Sequence, residues 1–257
     1  MNGKFDLHDK REQNKIGLET YSLDKTNVFD IAIDKLIEEL KKNISKSNDQ
    51  YDGWNKLRET DPVRYAELVE QAERHDISLD QQQYEYFLDI MYDEEQLLSL
   101  VEMKIIYAFK SLEINIKKLL SAAFSLQSTK DFYKWDNLIK FLKDKNIDAT
   151  KFDSYFEITQ LKSVNNAIKH SDDYETSLLS IQEFKNSDNI TYNKVDHFYN
   201  RTKHKPTSFL DELVTAIYQE LYEFEESKIE EIARSLVLRM KKEDAAVLTQ
   251  KISEHYS

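Results

Sequence analysis

Apolar residues recur at steps of three and four along most of this chain, the spacing that marks the buried stripe of an amphipathic helix. Phe29, Ile33, Leu36, Ile37, Leu40 and Ile44 form the first stripe. Residues 45–53 are rich in Ser, Asn and Asp and predict a loop. Asp61 followed by Pro62 predicts a helix start, with the cap before a proline at the first helical position. The longest pattern runs from about residue 80 to residue 124, through Phe87, Met91, Leu98, Ile105, Leu112 and Leu120, with no Gly or Pro inside it. It predicts either one helix of roughly 65 Å or two that meet at the polar run 93–96.

Beyond Ser128 and Thr129 the stripe resumes with Trp135, Leu138 and Leu142. Phe152, Phe156, Leu161, Val164 and Ile168 predict a helix from about 149 to 170. Residues 171–190 are polar and predict a loop, and 192–204 a helix that Lys205-Pro206 ends. Phe209, Leu213, Ile217, Leu221 and Phe224 line another, continued weakly through Ile232, Leu236 and Met240. Residues 1–25 predict a mobile or loosely packed arm. The expectation is an all-α bundle of about six to eight helices around one long central helix. It divides into an N-terminal extension over 1–80, a core over 81–228 and a charged C-terminal helix over 229–257.

Composition narrows the function. Three Gly and two Pro in 257 residues are far below the usual roughly 7% and 5%. That excludes most β-rich architectures and the Gly-rich phosphate loops of nucleotide-binding enzymes. With no Gly after Gly53, phosphate chemistry would have to come from side chains at helix ends. The absence of Cys removes disulfides, Cys-based zinc sites and thiol catalysis. No His-Glu-x-x-His or comparable ligand spacing stands out, so neither metal nor cofactor is expected. The formal net charge of −12 excludes a bulk nucleic-acid coater. There is no apolar run of transmembrane length and no signal-peptide core in the first thirty residues, so the expectation is a cytoplasmic protein without a membrane partner. His8, His75 and His255 lie in polar surroundings and read as surface groups. Residues 220–231 carry six Glu and one Lys, a solvated face or an acidic partner surface.

One short stretch bears on chemistry. Asn165 and Asn166 sit beside the apolar face of Leu161, Val164 and Ile168, although Asn is mildly unfavourable within a helix. His170 lies four residues after Asn166, on the same face. Upstream, Glu113 falls inside the long stripe between Leu112 and Ile116. The run Asn166-Ala167-Ile168-Lys169-His170-Ser171, together with the upstream segment 108–120 in which Phe109 is followed by Glu113, resembles the HEPN superfamily over about residues 85–225. The resemblance implies an all-helical fold. It also implies, for many members, metal-independent endoribonuclease activity in toxin–antitoxin, abortive-infection and RNA-processing systems. The family mark is an Arg, a polar residue often Asn, and a His four to six positions after the Arg. The chain departs from it, because the position of the Arg holds Asn165. Either the site has lost catalysis and kept the fold, or another cation replaces the Arg; Lys169, Lys162 and Arg201 are candidates.

A second constellation, residues 194–205, is the most basic of the chain. Lys194, Arg201, Lys203 and Lys205 are interleaved with Phe198 and Tyr199, a combination that holds phosphates and stacks bases. His197 and His204 flank Arg201. If the loop 171–190 folds back, Arg201 and His204 could approach His170. Metal-free RNA cleavage needs a base at the 2′-hydroxyl, an acid at the leaving oxygen and a cation for the phosphorane. His170 with a second His would transfer protons, and Arg201 or Lys203 would supply charge. The resemblance implies a homodimer with the motif at the subunit interface, and an antitoxin or other defence-system protein as a possible partner. The second reading is the same fold without catalysis, recognising RNA or a protein; the third is a helical scaffold in which the motif only caps a helix.

Overall fold

The structure, a computed structural model, describes residues 10–22, 26–170, 178–185 and 190–254. Among the described residues the α-helices are, in chain order, α1 (Lys10–Glu19), α2 (Thr26–Thr60), α3 (Pro62–Glu73), α4 (Leu79–Phe124), α5 (Trp135–Asp144), α6 (Tyr155–His170), α7 (Tyr192–Thr202), α8 (Lys205–Tyr222), α9 (Glu226–Val237) and α10 (Lys242–Glu254). Single 3-10 turns, Lys130–Tyr133 and Ala149–Lys151, precede α5 and α6. Among the described residues there is no strand. Among the described residues the all-α bundle around one long helix is as expected, with more helices than the six to eight anticipated, and α3, α9 and α10 hold no fully buried residue.

The long pattern is one helix. α4 runs unbroken for 46 residues, about 70 Å, through the polar run at 93–96. The Ser78 hydroxyl accepts the Gln81 N–H at 3.3 Å at its start, and Ser125 closes it in the left-handed conformation (φ 49°). From Val101 onward its inner face is the axis of the core, with α6, α7 and α8 packed around it. The aromatic rings of Phe109, Trp135, Phe209 and Phe152 form a continuous run with centroids 5.4 to 6.3 Å apart. A smaller cluster, Ile33, Ile37 and Leu97, seats the first half of α2 on α4.

Several expectations change. Residues 45–53 are helical, inside the 35-residue α2. Their polar side chains sit on a solvated helix, and neighbouring rings tie it down: Tyr51 lies 6.4 Å from Phe87 and Trp54 6.5 Å from Tyr65. Gly53 has open space where a Cβ would go and a negative φ, so it is an ordinary helical position. The expected polar loop 171–190 contributes Leu178, Ile181 and Phe184 to the core. The expected N-terminal arm contains α1, whose Leu18 is buried; the Arg11 guanidinium donates to the Tyr218 hydroxyl at 3.1 Å. Within α2 the stripe from Phe29 to Ile44 packs around Leu97 of α4, and α4 runs across residue 80. The single C-terminal helix is two, and Phe224 is half exposed rather than inward. The parts of the arm at 1–9, with His8, and His255 lie outside the described residues. No described helix is long and apolar enough to cross a membrane.

Candidate functional site

Helix α6 carries the first motif, and its start is held by a distant residue. The Glu212 carboxylate of α8 accepts the Asp153 N–H at 2.7 Å, the Ser154 N–H at 3.2 Å and the Ser154 hydroxyl at 2.6 Å. These donors precede the first turn, where a helix leaves its amide groups unpaired. The apolar residues Ile158, Leu161, Val164 and Ala167 face the core, and the opposite face is solvated. This splits the two asparagines. Asn165 is 2% exposed, and its amide donates to Asn166 Oδ1 at 3.2 Å while its own Oδ1 is buried without a partner. Asn166, Lys169 and His170 are exposed, with His170 the last residue of α6. Ser171 lies outside the described residues. Glu113 is half-buried on α4.

Helix α7 carries the second motif, and its core face is Val195, Phe198, Tyr199 and Thr202, all fully buried. Phe198 and Tyr199 therefore cannot stack bases, contrary to expectation. Their rings are the large side chains that fasten α7 to the bundle; Phe198 lies 5.7 Å from Phe184. The Tyr199 hydroxyl donates to Asp30 Oδ2 of α2 at 2.6 Å. Beside it, the buried Lys104 ammonium sits 4.6 Å over the Tyr199 ring and 2.7 Å from Asp34 Oδ1. Burial pushes the Asp30 carboxyl above its ordinary value, although the Tyr199 hydrogen bond and Lys104 pull it down.

The cations of this stretch are largely spoken for. Arg201 Nε and Nη2 donate to the two oxygens of Glu183 at 2.6 and 2.9 Å, a bidentate fork on a carboxylate only 10% exposed. Burial raises the Glu183 carboxyl, but the hydrogen bonds from Arg201 and Gln182 outweigh it and hold the group below its usual range. The Glu183 hydrogen bond raises Arg201 against the opposing effect of burial. Lys205 Nζ lies 3.0 Å from Glu157 Oε1, and Lys203 Nζ donates to Asn200 Oδ1 at 3.1 Å. Lys194 is half-buried; His197 and His204 are exposed. His204 begins the turn into α8, its carbonyl accepting from the Ser208 N–H at 3.1 Å and the Ser208 hydroxyl at 3.2 Å.

The two motifs do not form one site within the chain. Lys205 and Arg201 lie by Glu157, in the first turn of α6. His170 comes thirteen residues later on the same helix, about 20 Å along its axis. The segment 178–185 does fold back onto α7, but it delivers Glu183 to Arg201, not Arg201 to His170. Lys162, on the partly buried side of α6, lies 5.9 Å over the Trp135 ring. Of the candidates to replace the family Arg, Lys169 alone adjoins His170 in sequence.

The sequence reading missed Glu183, Glu157 and Glu212, the three carboxylates that organise both motifs. It also missed Lys104 with Asp30 and Asp34. Lys104 was detectable, as a cation standing between Val101, Ile105 and Ala108 on the buried face of α4. Compared with protein-family models, with curated proteins and with solved structures, the chain matches none.

Proposed function

We propose that this chain is a HEPN-like helical module of a bacterial antiviral-defence or toxin–antitoxin system that acts by recognising a protein partner rather than by cutting RNA. One observation carries the reading: the position of the family Arg is Asn165, turned into the core, while Arg201 is clamped by Glu183 at the far end of α6. Arg201, the candidate guanidinium for that role, is thus engaged elsewhere and not placed to take the charge of a phosphorane at His170. The burial of Phe198 and Tyr199 removes the base-stacking platform, and a chain of net charge −12 repels RNA at long range. The test is incubation of the purified protein with single-stranded and tRNA-like RNA in EDTA. No cleavage is expected, from the wild type or from His170→Ala. Cleavage that leaves 2′,3′-cyclic phosphate ends and vanishes in His170→Ala would overturn the proposal.

A second reading keeps catalysis, favoured by the exposure of Asn166, Lys169 and His170 together at the end of α6. In a homodimer joined at this face, two His170 side chains would share the proton transfers and Lys169 would supply the charge. The same RNA assay separates it, with Lys169→Ala expected to lower the rate if it holds.

A further inference from the structure

The first half of α4 carries more apolar surface than the fold uses. Residues 79–100 extend over about 33 Å, yet the only buried apolar residues among them are Leu79 and Leu97. Along the border with α2, Tyr84, Phe87, Met91 and Leu98 recur at steps of three, four and seven, which is one stripe of a helix. Tyr84, Phe87 and Met91 are 60, 43 and 48% exposed, and Leu98 is half-buried. Single exposed apolar residues need no explanation, but a stripe about 21 Å long does.

The stripe runs into a groove. Met91 and Leu98 of α4, Ile44 of α2, and Ile190 and Tyr192 at the entry to α7 line an open cavity of about 700 Å³. The Tyr51 ring of α2 lies 6.4 Å from Phe87 and continues the α2 wall along the stripe. Lys41 joins α2 to the entry of α7, its ammonium 4.8 Å over the Tyr192 ring. Another groove of the same helix pair is mostly polar, with Asn43, Ser47, Gln50, Asp89, Asp93 and Gln96 in its lining. The apolar character therefore belongs to one groove and not to the pair as a whole. Two carboxylates set the charge of what this groove takes. Between Met91 and Leu98 the next step of the stripe falls at Glu94 or Glu95, and both line the cavity. Both are exposed, and among the described residues neither belongs to an ion pair. The one cation of the lining is Lys41, which sits on the Tyr192 ring.

We propose that this groove receives one amphipathic helix of a partner protein, about four turns long, with apolar residues at steps of three and four and Lys or Arg beside Glu94 and Glu95. The helix lies along Tyr84, Phe87 and Met91 as a third member beside α2 and α4, and a bulky apolar residue fills the space between Ile44, Leu98 and Tyr192. A chain of net charge −12 attracts a basic segment at long range and repels an acidic one. The proposal rests on the partner-recognition reading above and adds where the partner docks and what chemistry it brings.

The test is selection from a random phage-displayed library of peptides of about 16 residues, enough for four helical turns, on the full-length protein, followed by fluorescence anisotropy of the enriched peptides. The expected peptides have an apolar repeat of helical spacing and carry Lys or Arg. Met91 is exposed, so Met91→Asp leaves the fold intact, as circular dichroism will show, and weakens these peptides about tenfold or more. Glu94→Lys with Glu95→Lys weakens them to a similar degree, and selection on that variant enriches Asp and Glu in place of Lys and Arg. Enriched peptides that Met91→Asp does not weaken, acidic peptides on the wild type, no enrichment at all, or the same basic peptides on the charge-reversed variant would each overturn the proposal. So would self-association of the wild type that Met91→Asp abolishes, since a second copy would then be the occupant. The RNA assay stands apart from this one: a failed selection without cleavage rejects the groove alone, whereas cleavage that His170→Ala removes rejects the recognition reading whatever the groove binds.

Discussion

Arg201 and Glu183 face each other through two hydrogen bonds of 2.6 and 2.9 Å, eighteen residues apart in sequence and joined only because 178–185 folds back onto α7. The fork makes Arg201 a clamp for that segment rather than a free cation. Glu183→Gln removes one acceptor and the charge, and should cost about 1–3 kcal/mol of stability at pH 7. The carboxyl is held below its ordinary value of 4.5. A depressed carboxylate stabilises the fold above its unfolded pKa and loses that contribution as pH falls through the lower, folded value. The melting temperatures of wild type and Glu183→Gln should therefore differ at pH 7 and converge below pH 4.5. A gap that does not shrink at all as pH falls below 4.5 would mean the clamp is not electrostatic.

Asp30 has the opposite sign. Burial raises its carboxyl above the ordinary 3.8, against the Tyr199 hydrogen bond and the Lys104 charge. An acid with a raised folded pKa favours the protonated fold, so its contribution is greatest below the unfolded pKa and declines as pH rises through the folded one. Asp30→Asn keeps an acceptor for Tyr199 and removes the penalised charge, so stability at pH 7 should hold or rise. Tyr199→Phe leaves the buried carboxylate without its donor and should cost about 1–3 kcal/mol. That cost should shrink in the Asp30→Asn background. Denaturant titration of the four proteins checks this, and an Asp30→Asn cost equal to that of Tyr199→Phe would reject it.

These two pairs show what the sequence made legible. Helices with a continuous apolar stripe could be read because burial on one face imposes the 3.6-residue period. Residues 45–53 could not, because a helix solvated on most sides needs no such stripe and its Ser, Asn and Asp imitate a loop. The roles of Phe198 and Tyr199 were misread although the signal was there: Val195, Phe198, Tyr199 and Thr202 stand at helical spacing and all turn inward. Aromatics among cations match a nucleic-acid platform and a helix core equally well until orientation is known. Glu183 was unreadable, because its importance lies in a fold-back that local periodicity does not encode.

Glu212 gives a third prediction. One carboxylate receives two backbone amides and a hydroxyl at the entry to α6, a cap supplied from another helix. Glu212→Ala should destabilise the protein by about 1–3 kcal/mol. It should also raise hydrogen exchange at the amides of Asp153 and Ser154, with the last turn of α6 unchanged. Uniform exchange throughout α6 would show that the contact does not act as a cap.

Asn165 and Asn166 allow the sharpest comparison, because adjacent residues of the same type, hydrogen-bonded to each other, differ in burial. Asn165 is 2% exposed beside the core and Asn166 is exposed. Introducing the Arg of the HEPN mark by Asn165→Arg would force a guanidinium among Leu161, Val164 and Ile168, where an unpaired buried charge costs on the order of several kcal/mol. The fold should be lost or its melting point sharply lowered. Asn166→Arg presents the same group to solvent and removes only the Oδ1 that accepts the buried Asn165 amide, so it should cost about 1–3 kcal/mol, less than Asn165→Arg. If the recognition reading is right, Asn166→Arg should also fail to produce RNA cleavage, since a cation next to His170 does not by itself supply the second proton-transfer group. Equal stability of the two variants would show that Asn165 can turn to solvent. The position matched to the HEPN Arg would then be accessible, and the burial of Asn165 would no longer support the recognition reading.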